Sequence, residues 1–307
     1  MIEIKKILFP TDFSRCAEQA LLHAVFFAQK YKSELHLLHV RTMFEDQPDT
    51  VSREFSNTEQ FIESHRKVTE AKLNDVISKH GSTEIKIIKE LLKGVSAGPA
   101  ILEYASDKDM DLIVLGTHGR RGIEHLLIGS VAEEVVRLAD CPVFTVRETE
   151  QLKPLKAYNN ILVPVDFSDH SQNAIIYAKE IASAYDSQLQ LLHIIEETKH
   201  PAFSISGKSS IFDLVPNIEE ESEKSMLEML DKAEGPETKS AVFTSGGHAA
   251  NDIINFASEN SSDLIVIATH GLTGIEHLLL GSVTEKVVRM APCPVVTIKA
   301  FGKNLLK

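Results

Sequence analysis

Asp111-Leu-Ile-Val-Leu-Gly116-Thr-His-Gly119-Arg-Arg-Gly-Ile-Glu-His-Leu-Leu-Ile-Gly129-Ser130 carries the chain from an apolar run, through glycines, to the head of a helix-patterned segment at residues 131–138. Residues 112–115 have the length and apolarity of a buried strand. Glycine lets backbone N–H groups approach an anion, and the first turn of a helix offers unpaired donors with a favourable dipole. A strand that ends in glycines and re-enters a helix through Gly129-Ser130 has the ingredients of a phosphate cradle. The stretch recurs as Asp263-Leu-Ile-Val-Ile-Ala268-Thr-His-Gly271 through Gly281-Ser282, and residues 111–146 and 263–298 are identical at 25 of 36 positions. The chain holds two copies of one domain.

Outward from this stretch, residues 7–12 (Ile-Leu-Phe-Pro-Thr-Asp) read as a short buried strand ending in a polar turn. Asp12-Phe-Ser14 offers helix-start residues before residues 17–31, whose apolar positions recur at helical spacing. A strand is expected at 35–40, a surface loop at 41–57 and a long amphipathic helix at 59–79. A strand follows at 84–92, a tight turn at 94–98, and a helix at 99–106 with Pro99 in its first turn. Strand 111–115, a helix to residue 139 and a strand at 142–146 complete the unit. Strands alternating with helices imply parallel strands joined by right-handed crossovers, hence an α/β fold with a five-stranded parallel sheet between two helical layers. Ligands of such folds lie outside the carboxyl ends of the strands, where the strand order reverses. Asp12, Val40 and Gly116 all sit at such ends, so they can share one crevice.

Residues 149–157, polar and proline-bearing, read as a linker between domains at 1–148 and 158–300. Beyond it the plan restarts: residues 161–166 match 7–12, 191–194 match 37–40, and 263–267 match 111–115. Residues 196–217 read as a long irregular connection.

At 307 residues the chain suffices for two domains, and 43% hydrophobic with 25% charged residues is a globular composition. A net charge of -12 argues against a nucleic-acid partner. No apolar run approaches the roughly 20 residues that span a bilayer, and no signal-peptide pattern precedes the first strand, so a cytoplasmic protein is expected. Cys16, Cys141 and Cys293 form no Cys-x-x-Cys pair; Cys141 and Cys293 read as small strand-entry residues. The glycine pattern is neither a Walker A loop nor the dinucleotide fingerprint. No catalytic triad and no pair of catalytic carboxylates is evident, and Asp12 lacks the companions of a response-regulator site.

Three segments in order, residues 7–14, 116–130 and 141–146, resemble the universal stress protein family, and both halves carry them. The resemblance implies a Rossmann-like fold close to the adenine-nucleotide α-hydrolases, and ATP binding where the glycine pattern is complete. Carried over, Asp12 contacts the adenosine portion, with Pro10 and Thr11 shaping its turn, and Val40 faces the adenine through its backbone. Gly116 and Gly119 line the ribose and phosphates, Gly129 and Ser130 hold the phosphate tail, and His118 and Val131 complete the set. A triphosphate brings a Mg²⁺ ion and wants backbone donors and little bulk, which agrees. ADP, AMP or another adenine nucleotide fits the same pattern, and slow hydrolysis or autophosphorylation is left open. The second-half set is Pro164, Val165, Asp166, Ile194, Ala268, His270, Gly271, Gly281, Ser282 and Val283. There Ala268 replaces the first glycine, and its methyl is expected to crowd the ligand or forbid a positive φ, weakening that site.

Arg120 and Arg121, replaced by Leu272 and Thr273 in the second copy, read as solvated side chains. His118, His270, His125 and His277 read as structural or hydrogen-bonding residues rather than metal ligands, and His39 and His193 as packing residues. The family's last strand pairs between subunits, which implies an intrachain pseudo-dimer and allows a homodimer of whole chains. The rival reading is a protein-interaction scaffold whose glycine loops are vestigial.

Overall fold

The computed structural model describes residues 2–42, 59–80, 84–119, 128–148, 157–196, 210–271, 280–299, 302–303 and 305. The chain divides into two compact units. One comprises Glu3–Leu155 with Lys303–Leu305, the other Met1–Ile2 with Lys156–Gly302 and Leu306–Lys307.

The first unit runs β1 (Lys6–Pro10), α1 (Arg15–Tyr31), β2 (Glu34–Thr42), α2 (Glu59–His80), β3 (Ile87–Gly94), α3 (Ala97–Asp107), β4 (Leu112–Gly116), α4 (Ser130–Leu138) and β5 (Val143–Val146). Its strands lie in the order β3-β2-β1-β4-β5 and pair in parallel. Ile7, Leu8 and Phe9 are at most 1% exposed, which is why β1 reads as a continuous apolar run: a parallel sheet is covered on both faces. Helix α1 packs on β4, β1 and β5 with α2 beside it, while α3 and α4 pack on each other and on the sheet.

The second unit repeats the plan as β6 (Asn160–Pro164), α5 (Asp169–Tyr185), β7 (Gln188–Glu196), α6 (Ile211–Leu214), α7 (Ile218–Lys232), β8 (Ser240–Gly247), α8 (Ala249–Glu259), β9 (Leu264–Ala268), α9 (Ser282–Met290) and β10 (Val295–Ile298). Its order is β8-β7-β6-β9-β10, again with parallel pairs. The expected α/β architecture is present in both units.

The same local chemistry recurs at matching positions. Ser14 caps α1 by accepting from Ala17 N at 3.2 Å, and Ser168 caps α5 by accepting from Ser171 N at 3.2 Å. One oxygen of Asp111 accepts from Lys5 N and Lys6 N at 2.7 and 2.8 Å, and Asp263 does the same for Asn159 N and Asn160 N at 2.7 and 3.0 Å. The other Asp111 oxygen and the Asp109 carboxylate each lie 2.7 Å from Lys303 Nζ.

Three expectations shift. Helix α3 begins at Ala97 rather than Pro99, so Ala97 and Gly98 are helical and not part of a turn. The third strand ends at Gly94, two residues later than its apolar pattern suggests. Within the connection at 196–217, Ile211–Leu214 is a helical turn, while residues 197–209 lie outside the described residues. So does most of the expected linker, at 149–156. Among the described residues no helix is long and apolar enough to cross a membrane.

Candidate functional site

Strand β1 leaves the sheet at Pro10 and β4 at Gly116, and their onward neighbours lie on opposite sides, so the strand order reverses between them. Diverging connections leave a crevice at such a point. A cavity of about 620 Å³ opens there, and it is lined by Pro10, Thr11, Asp12, Val40, Gly116, His118, Gly119, Gly129, Ser130 and Val131. Those are all ten residues expected for the first half, brought together from four separate parts of the chain.

The floor is built by the turn after β1. Thr11 N donates to Leu38 O at 2.8 Å, so β1 holds β2 one residue beyond its last strand residue. Thr11 Oγ1 accepts from Phe13 N at 3.0 Å, and Asp12 Oδ1 accepts from Ser14 N at 3.0 Å. These bonds close a turn in which Phe13 takes a left-handed φ of 62°, rare for a bulky residue. Its ring sits 4.8 Å from that of His39, whose Nδ1 donates to Thr11 O at 2.8 Å. His39 is therefore a packing residue, as expected, but it also lines the cavity.

The glycine wall is held at both feet. Thr117 N donates to Val146 O at 2.8 Å, and Gly129 N donates to Thr117 O at 2.7 Å, so residues 117 and 129 are tied to each other and to β5. Gly119 lies directly over Asp12: a Cβ there would come within 2.7 Å of Asp12 Oδ2. His118 Nδ1 is 2.8 Å from Thr117 Oγ1, consistent with the hydrogen-bonding role expected of it. Gly129 is the N-cap of α4 and supplies no side-chain bond to the first-turn amides, in contrast to Ser14 on α1. Those amides, with the exposed Ser130 hydroxyl, are where an anion would be held.

Gly116 has another explanation than the one its sequence suggests. Positive φ is absent there, and an added Cβ would meet Cys16 Sγ at 2.7 Å and Ala17 N at 3.2 Å. Glycine at 116 lets the start of α1 dock against β4; it does not make room for a ligand. Ala268 has no positive φ either, so the expectation that its methyl forbids such a backbone is corrected. Cys16 is buried, its thiol donates to Val146 O at 3.3 Å, and burial pushes that thiol up. Burial likewise pushes the Cys293 thiol up to about 12. Neither is an activated nucleophile.

The second unit repeats the turn. His193 Nδ1 donates to Val165 O at 2.9 Å, Phe167 has a φ of 63°, and Gly281 N donates to Thr269 O at 3.0 Å. Pro164 ends β6, Ile194 lies in β7, Ala268 ends β9, and Ser282 and Val283 open α9. His270 Nδ1 is 3.0 Å from Thr269 Oγ1, and Gly271 lies against Asp166 Oδ2. Arg120, Arg121, His125 and their counterparts Leu272, Thr273 and His277 lie outside the described residues.

Sequence reasoning missed the wall made by Val95, Ser96, Ala97 and Ile101. Val95 is 70% exposed despite being aliphatic, as an apolar cover for a planar ligand would be. The signal was available: the carboxyl end of β3 opens on the same crevice as those of β1, β2 and β4.

A family model described as the universal stress protein family matches residues 3–147 and again residues 157–299. A universal stress protein of Methanocaldococcus jannaschii is 32% identical over 147 residues, covering 48% of this chain and 85% of its own length. One from Bacillus subtilis is 29% identical over 147 residues, covering 46% of this chain and 99% of its own. Among solved structures, a universal stress protein from Archaeoglobus fulgidus aligns over 96% of this chain and 98% of its own with a TM-score of 0.66 and 21% identity, a likeness of fold.

Proposed function

The chain belongs to the universal stress protein family through both of its halves, and from that premise we propose that the cleft of the first unit binds an adenine nucleotide, ATP with Mg²⁺ foremost. Bound nucleotide then acts as the signal by which a cytoplasmic stress-response protein changes its state. The observation that carries this reading is the convergence of Asp12, Val40, the Gly116–Gly119 turn and the Gly129-Ser130 helix start on one cavity of about 620 Å³. Its lining mixes two chemistries: Val40, Val95 and Ile101 are apolar, and the first-turn amides of α4, which no side chain caps, are donors. A base and a phosphate chain need that pairing. Among the described residues no three His, Cys, Asp or Glu side chains are grouped to hold a metal, so Mg²⁺ would arrive on the phosphates, with Asp12 the carboxylate lining the cleft.

Mass spectrometry of nucleotide released from the purified, denatured protein tests the reading, alongside isothermal titration of MgATP. Asp12→Ala and Gly119→Val, the latter driving a side chain into Asp12 Oδ2, are each expected to weaken binding roughly tenfold or more. Absence of any adenine nucleotide, together with no heat of binding, would leave the interaction-scaffold reading in its place. Association of whole chains into a homodimer belongs to the same proposal, on the family resemblance alone, and light scattering at twice the chain mass reads it.

A further inference from the structure

Asp12 and Asp166 are counterparts, yet different groups hold them. Asp166 Oδ1 accepts from Ser168 N at 3.1 Å, from Ser168 Oγ at 2.6 Å and from Ser171 Oγ at closer range still. Ser171 Oγ in turn accepts from Asp166 N at 3.3 Å, so one hydroxyl clasps both the main chain and the side chain of the aspartate. Ser171 is 2% exposed and Ser168 7%, which places the clasp where hydrogen bonds to an ionised oxygen are strong. A carboxylate oxygen offers roughly two lone-pair directions, and here three donors already converge on one. The other oxygen lies against Gly271.

The residue matching Ser171 in the first unit is Ala17, which lines the cavity and offers only a methyl. Asp12 is met by Ser14 N at 3.0 Å, as Asp166 is met by Ser168 N, but no hydroxyl can reach it from position 17. The left-handed Phe13 and Phe167 and the histidine behind each also correspond, while Thr11, whose hydroxyl accepts from Phe13 N, is replaced by Val165.

Resting on the nucleotide reading above, we infer that Ser171 is a specificity-determining residue that locks Asp166 onto α5 and withdraws it from any ligand, so that the two halves differ in nucleotide affinity because of the pair Ala17 and Ser171. The three donors on Oδ1 fix the orientation of the Asp166 carboxylate, so a ribose hydroxyl or a base amine that needs it turned must break the Ser171 bond, whereas position 17 holds no such bond to Asp12.

Titration calorimetry of MgATP against the full-length chain and its Ser171→Ala, Ala17→Ser and Asp12→Ala variants tests this. Both substitutions change one oxygen atom at a buried site, and circular dichroism checks that each variant is folded. The expected result is one tight equivalent in the unaltered chain, lost in Asp12→Ala. Ser171→Ala then adds a second equivalent or tightens a weak one roughly tenfold, and Ala17→Ser weakens the first by a similar factor. Two equivalents of equal affinity in the unaltered chain, or Ser171→Ala and Ala17→Ser both silent while Asp12→Ala weakens binding, overturns the lock and leaves the nucleotide reading standing. No heat with any of the four chains removes the nucleotide reading and the lock with it.

Discussion

A single methyl separates Gly116 from Ala268, and the structure says what that methyl does. At 116 it would press on Cys16 Sγ at 2.7 Å and on main-chain atoms at 3.1 and 3.2 Å, so α1 must move away from β4. Gly116→Ala is therefore expected to destabilise the first unit by about 1–3 kcal/mol in urea titration. Adding Cys16→Ala recovers only the part due to the sulfur, because the main-chain contacts remain; full recovery would show that the helix start is not the obstacle. At this scale the sequence was legible where a residue acts by its ordinary preference. Ser14 is a helix cap by composition and by geometry. Phe13 was not legible, since nothing in an aromatic side chain announces a φ of 62°; the surrounding Thr11 and Asp12 bonds impose it.

Among the elements, apolar periodicity located the strands and helices of both units, and their ends were the less legible part. Helix α3 illustrates why. Pro99 marks a first turn but not which residue of it, because the first-turn N–H groups have no partners within the helix and proline lacks only such a group. Ser96, a residue type that favours the N-cap, holds that position without a side-chain bond. Gly98, inside α3, gives a prediction opposite to that for Gly116. A Cβ there meets the carboxylate of Glu134 on α4, the far end of a flexible side chain that can swing aside. Gly98→Ala should therefore leave the urea midpoint unchanged or raise it, by at most about 1 kcal/mol from helix propensity. A loss as large as that for Gly116→Ala would mean that α3 and α4 cannot yield at this contact.

Taken as a whole, the molecule was legible as a duplication because 25 of 36 positions repeat across the glycine segments. The place of Lys303–Leu305 in the first unit was not legible, since short terminal segments carry no periodicity and their partners, Asp109 and Asp111, are distant in sequence. A property of the unit as a whole follows from His23, a partly exposed ring in close surroundings on α1, 5.3 Å from that of Phe144. Burial lowers its pKa to about 4. The unfolded chain then takes up a proton near pH 6.5 that the folded one refuses until about pH 4, so this contribution is complete above 6.5 and is lost as the pH falls through that window. Partial exposure moderates it, and a loss of ~1–2 kcal/mol between pH 7 and pH 5 is expected; His23→Gln should flatten that slope in paired urea titrations, and an unchanged slope would assign it elsewhere.

The bonds from Gly129 N to Thr117 O and from Gly281 N to Thr269 O make each glycine segment a cassette with fixed ends. Between those tied ends the two copies differ in sequence. That is where Arg120 and Arg121 have become Leu272 and Thr273, while the flanking Thr-His-Gly and Gly-Ser residues are the same in both copies. A duplicated domain built this way can trade its chemistry piecemeal, with one copy drifting while its twin keeps the original trade.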